Sequence, residues 1–161
     1  MLLSSDRLRK ELAGRCPYAS AKAAYGQGIY APAYTERTYA ALLDRAEALL
    51  ARGETVLLDA SWSAARHRDA ARAVAAHTHS QLVELHCLAP PDVVTERLRR
   101  RNSMSDADTL IAETVAEHTD PWPEATPIHT DQPLPATVNG LTAHMTAVPA
   151  TEKGGDARRA A

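Results

Sequence analysis

Residues 55–62 read "TVLLDASW", an apolar run that ends in an aspartate and small polar residues. A strand with one wet face alternates apolar and polar residues. This run does not, so it reads as a strand over 55–60 covered on both faces, as in a parallel sheet between helices. "QLVELHCLAP", residues 81–90, repeats the pattern and gives a strand over 82–88. Upstream, "MLLSSDRLRKELAG", residues 1–14, reads as the end of a third strand over 1–4, a polar turn and a helix to Leu12. Ser5 or Asp6 is placed to cap that helix, and Gly14 to stop it.

The segments between these strands read as helices. Thr35 is placed to cap a helix on which Tyr39, Leu42, Leu43, Ala46, Leu49 and Leu50 share a face, with Gly53 ending it. Ser63 opens another, with Ala70, Ala71, Val74 and Ala75 inward, and "PPDVVTERLRRRN", residues 90–102, has an early proline that suits a helix start. Ser105 and Asp108 form a box-like cap for a helix that "DPWPEATP", residues 120–127, breaks as a rigid turn. "PIHTDQP", residues 127–133, is at most a short strand, and "ATVNGLTAHM", residues 136–145, a last helix. Residues 15–34, with Pro17, Gly26, Gly28, Pro32 and four tyrosines, read as a long functional loop. Alternating strands and helices give an α/β fold over residues 1–145, and the small and charged residues 146–161 a disordered tail.

Composition excludes several classes. A chain of 161 residues with a formal charge of −2 has no broad basic field for nucleic acid and no acidic tail. No window approaches the ~18 apolar residues of a membrane span. Cys16 and Cys87 lie far apart, and Cys87, in an apolar run, reads as a small buried hydrophobe, so a reduced, cytoplasmic setting is expected. His77 and His79 have no nearby cysteine or acidic partner in sequence and do not read as zinc ligands; His86 reads as a core or edge residue.

In parallel sheets, ligands bind beyond the carboxyl ends of the strands. Asp6, Asp59 and Asp131 fall at or near such ends. Asp6 can accept a hydroxyl proton, and Arg9, one helical turn on, can grip an anion; taken alone, the pair reads first as a helix cap with solvated arginines. Asp59 can hold Mg²⁺ through water, and Trp62 either floors a pocket or packs half-buried. Arg97 and Arg101 share a helix face and can close over phosphates, or simply complement a helix C-terminus.

Together, "SSDRLRKELAG", "YTERTYAALLDRAEALLARGETVLLDASW" and "HCLAPPDVVTERLRRR" resemble the P-loop small-molecule kinases that include gluconate-kinase-like, polynucleotide-kinase-like and zeta-toxin-like proteins, over residues 1 to about 131. "SDAD" with "DPWPEA" is similar to the kinase-like half of bacterial proteins carrying an aminoglycoside-phosphotransferase-like domain in front. The resemblance implies a three-layer α/β fold and transfer of a phosphoryl group from ATP, with Mg²⁺, to a small-molecule hydroxyl. It implies Asp6 as base or orienter, Arg9 on the acceptor, and Tyr18 or Tyr34 lining its pocket. Asp59 would support Mg²⁺, and Arg97 and Arg101 would lie over ATP. It also implies fusion or pairing with an aminoglycoside-phosphotransferase-like domain.

The family's first strand and its G-x-x-x-x-G-K-[ST] loop do not occur in the 161 residues; "YGQGIYAP", residues 25–32, has no Gly-Lys-Ser/Thr. The strand absent from this pattern would lie centrally, between those at 55–60 and 82–88. Two half-sheets are therefore expected, which close on each other, take a strand from another chain, or belong to a reading frame that opens upstream of Met1; the last is the expectation. The chain by itself is expected to have little kinase activity. A non-catalytic interaction module that completes its sheet with a partner is the alternative.

Overall fold

The computed structural model describes residues 1–17, 26–100 and 114–147. β1 (Leu2–Ser4) runs into α1 (Ser5–Leu12), and a 3₁₀ turn at Gly28–Tyr30 precedes α2 (Pro32–Leu50). β2 (Leu57–Asp59), α3 (Ala65–His77), β3 (Leu85–Leu88) and α4 (Pro91–Arg100) follow. β4 (Thr126–His129) and α5 (Leu134–Ala147) complete the described elements, with a further helical stretch at residues 114–117.

β1 pairs with β2 in parallel, with Leu2 opposite Leu57, Leu3 opposite Leu58 and Ser4 opposite Asp59. β3 pairs with β4 in parallel, from Leu85–Thr126 to Leu88–His129. Among the described residues these are two separate two-stranded sheets. The α/β class and the parallel pairing match the sequence reading. The strands are shorter than expected: 57–59 replaces 55–60, and 85–88 replaces 82–88. Two-strand ladders offer few partners, and the ends of each run fall outside them.

The core lies where α1 and α2 meet the first sheet. Leu8, Tyr39 and Leu42 are buried together, with Leu3, Leu12, Leu58, Ala60 and Trp62 packed around them. Tyr39, Leu42, Leu43 and Ala46 are the buried apolar positions of α2, as their 3.6-residue spacing requires. Each fully buried side chain of this size contributes about 1.5–3 kcal/mol. The other face is not covered as expected: Leu2 and Leu57, opposite each other in register, are 52% and 60% exposed.

The helix starts are displaced from the expected caps. Ser4 flanks α1 without a side-chain cap bond, and Ser5 and Asp6 lie inside the helix, Asp6 paired with Lys10. α2 begins at Pro32 after Ala31, so Thr35 lies inside it; proline's fixed φ suits the first helical turn. Ala64 flanks α3 in place of Ser63, whose carbonyl accepts from the Asp120 amide. On α3, Ala70 is exposed, and His67 and Arg68 are buried with Ala75. Backbone carbonyls from two loops need a donor there, and Arg68 supplies it.

Cys87 is exposed, as is Cys16, and both are free thiols. His77 does have an acidic neighbour, Glu47, at 3.4 Å. α5 extends to Ala147, past the expected start of the tail at 146; the remainder of the tail and the cap at Ser105 lie outside the described residues. No helix among the described residues is long and apolar enough to cross a membrane.

Candidate functional site

The Ser4–Asp59 register brings the ends of β1 and β2 side by side. Asp6 follows two residues after Ser4, on the first turn of α1, so both aspartates stand at the same end of the sheet. Asp59 is exposed. Asp6 is a hub: its Oδ2 pairs with Lys10 Nζ at 2.9 Å, and its Oδ1 accepts the Tyr30 hydroxyl at 3.1 Å. Lys10, one turn on, has no exposed side-chain surface. A buried ammonium is tolerated only when paired, and the Asp6 carboxylate is one partner it has here.

Arg9 is also buried. Its Nη1 donates to the Ile29 carbonyl at 2.8 Å and to Thr35 Oγ1 at 3.0 Å, and its guanidinium lies 5.0 Å from the Tyr30 ring centre. Burial holds its pKa below the usual arginine value. The solvated arginine is thus excluded, and in this arrangement Arg9 ties the Gly28–Tyr30 turn to α1 and α2. Tyr34 is half-buried in the first turn of α2, with the Arg37 guanidinium 5.1 Å from its ring centre.

Beyond β2, Tyr39 organises the loop. Its hydroxyl accepts the Trp62 amide at 3.0 Å and lies 3.3 Å from Ser61 Oγ, while the Trp62 ring meets its own edge-on at 5.2 Å. Trp62 has φ +50, a left-handed conformation that costs a non-glycine residue of order 1–3 kcal/mol. It is held from the other side by Arg68 Nη1, which donates to its carbonyl at 2.7 Å. Half-buried packing describes Trp62, which lies against the core. The Tyr39 ring also stacks on His67 at 3.8 Å, and His67 Nε2 lies 3.2 Å from both carboxylate oxygens of Glu36. Arg66 also binds Glu36, and its hydrogen bond holds that carboxyl below its usual range.

Arg97 belongs to the other sheet. Its Nη1 donates to Thr130 Oγ1 at 3.1 Å and its Nη2 to the Thr130 carbonyl, just past β4. Asp131 follows. The structure therefore gathers Asp6, Arg9, Tyr34, Asp59 and Trp62 around β1, β2 and α2, and sets Arg97 against the β3–β4 pair. Tyr18 and Arg101 lie outside the described residues.

The sequence reading missed Lys10, Tyr30 and the Glu36–His67 contact. Lys10 was legible as an i,i+4 partner of Asp6. The other two depend on contacts 24 and 31 residues apart, which carry no local signal.

As for the groups that the resemblance implies, Asp59 suits water-mediated contact with Mg²⁺, but no group of three or more potential metal ligands occurs among the described residues. Arg97 is bonded to Thr130.

Residues 1–120 match a family described as "AAA domain". Three proteins, each bearing the name "uncharacterized protein", are similar over 122 residues at 33% identity: one from Mycobacterium bovis and two from strains of Mycobacterium tuberculosis. The match covers 75% of this chain and 24% of each relative, so the chain spans about a quarter of their length. No solved structure matches.

Proposed function

We infer that this chain, which belongs to the AAA domain family of P-loop NTPase-like kinases, carries the acceptor side of a domain that transfers a phosphoryl group from ATP to a small-molecule hydroxyl. The observation that supports this most is the parallel β1–β2 register, which sets Asp6 and Asp59 at one strand end. On this reading Asp6 orients the acceptor hydroxyl, Arg9 faces the acceptor, and Tyr34 and Trp62 border its pocket. Arg97 and Arg101 belong to the phosphate side, with Asp59 toward Mg²⁺. Such chemistry suits the cytoplasm, and the length of the relatives leaves room for a second, aminoglycoside-phosphotransferase-like domain.

Catalysis of phosphoryl transfer is mostly positioning and electrostatics, and these 161 residues contain no Gly-Lys-Ser/Thr loop to hold the phosphates. The 161-residue chain alone therefore binds ATP weakly and transfers phosphoryl groups slowly. Isothermal titration of the purified chain with ATP and Mg²⁺ tests this. The expected result is no saturation below the millimolar range; micromolar, Mg²⁺-dependent binding would overturn the claim that the loop is required.

A second reading, an interaction module that completes its sheet with a partner, is favoured by one observation. The register partners Leu2 and Leu57 both stand exposed. Paired leucines on an open sheet are a docking surface or an aggregation hazard.

A further inference from the structure

Both oxygens of Asp6 are occupied. The Lys10 bond is the firmer one, because it joins a carboxylate to an ammonium with no exposed side-chain surface. The Tyr30 bond is the replaceable one. Its donor is a neutral hydroxyl on a three-residue turn, and two glycines have left-handed backbone there, Gly26 at φ +71 just before the turn and Gly28 at φ +56 at its start.

The same turn also occupies Arg9, through the Ile29 carbonyl and the Tyr30 ring. One short segment thus places a hydroxyl on the carboxylate of α1 and an oxygen acceptor on its guanidinium. We propose that the Gly28–Tyr30 turn is a latch that the acceptor displaces, the Tyr30 hydroxyl marking the place of the acceptor hydroxyl on Asp6 and the Ile29 carbonyl marking the place of an anionic oxygen on Arg9. This rests on the reading of Asp6 as the group that orients the acceptor.

Charge sets the substrate class. With the turn displaced, Arg9 keeps Thr35 Oγ1 but loses its carbonyl and its aromatic face. The cation is buried, with the Asp6 carboxylate already acting on it through space, so the oxygen that replaces the Ile29 carbonyl compensates it best when that oxygen is itself anionic. An alcohol bearing a carboxylate or a phosphate supplies both contacts. A neutral polyol supplies only the first.

The test is carbodiimide labelling of the full 161-residue chain, read site by site by mass spectrometry, with exposed Asp59 as internal reference. Tyr30→Phe is expected to label Asp6 about tenfold faster, the factor set by one hydrogen bond to a charged group, with Asp59 unchanged. In Tyr30→Ala, millimolar glycerate or glycerol 3-phosphate is expected to slow Asp6 labelling while glycerol does not, and comparison of the two anions identifies the charged group. Asp6 labelling at the wild-type rate in Tyr30→Phe overturns the latch. So does an equal rise at Asp59, which reports a loosened fold. Protection by glycerol equal to that by the anions, or protection by none of the three, overturns the anionic-alcohol class. No ATP is present, so these outcomes are independent of phosphoryl transfer, which fails or stands on the activity of Asp6→Asn in a chain that carries the phosphate loop.

Discussion

Arg68 shows how much one side chain decides. Its Nη1 donates to the Trp62 carbonyl at 2.7 Å and its Nη2 to the Pro121 carbonyl at 2.7 Å, with the Trp122 ring centre 5.0 Å away. Trp122 in turn donates to Glu84 at 2.6 Å, and the Arg72 guanidinium holds that carboxyl below its usual range. A planar fork is needed to serve two carbonyls 59 residues apart in sequence, and a single ammonium cannot reproduce it. Arg68→Lys is therefore expected to cost about 2–3 kcal/mol, seen as a lower urea midpoint at unchanged slope. The composition of "DPWPEATP" was legible as a rigid turn; the arginine that fastens it was not, because in a one-dimensional pattern Arg68 reads as the polar side of an alanine-rich helix.

Between elements, α2 and α3 meet through His67, Tyr39 and Glu36. The imidazole is buried, its Nδ1 has no hydrogen-bond partner among the described residues, and burial pushes its pKa below the ordinary 6.5. Glu36 opposes that shift and Arg66 adds to it, while the Tyr39 ring faces the imidazole. With the folded value depressed, the unfolded chain takes up a proton on His67 before the folded chain does, so stability falls as pH drops below about 6.5. Glu36, with its own depressed value, loses its contribution only at more acidic pH. His67→Phe, which keeps the stack, is expected to flatten the pH dependence of the unfolding free energy between about pH 6.5 and 5, where one histidine contributes at most about 1.4 kcal/mol per pH unit. An unchanged slope in that variant would show that His67 does not titrate with folding. The helical spacing that buries Tyr39, Leu42 and Leu43 was readable from sequence. The partner that stacks on the Tyr39 ring was not, since it arrives from another helix.

For the whole molecule, the open face of the first sheet matters most. Leu2 and Leu57 present adjacent apolar side chains, and Met1 beside them is 64% exposed. Leu57→Lys puts a charge on that face at little cost to a residue already exposed. It is expected to shift sedimentation of the purified chain toward the monomer and to raise its solubility, with a melting temperature within a few degrees of the parent. If the parent is already a soluble monomer and the variant changes nothing, the sheet-completion reading falls.

What the sequence determined by itself was local. Unbroken apolar runs specified parallel strands, 3.6-residue spacing specified the buried face of α2, and strand-end aspartates specified which end of the sheet carries polar groups. These follow from periodicity and backbone preference, which act over a few residues. Tertiary structure alone decided that Tyr30 occupies Asp6, that Lys10 is buried, that Arg9 is buried against the Ile29 carbonyl, and that Arg97 joins the second sheet pair rather than the Asp6 site. The long-range bonds among these depend on which loop the fold brings over which helix end. The energy of desolvating a charge then forces each buried cation to take the nearest oxygen, however distant it lies in the chain.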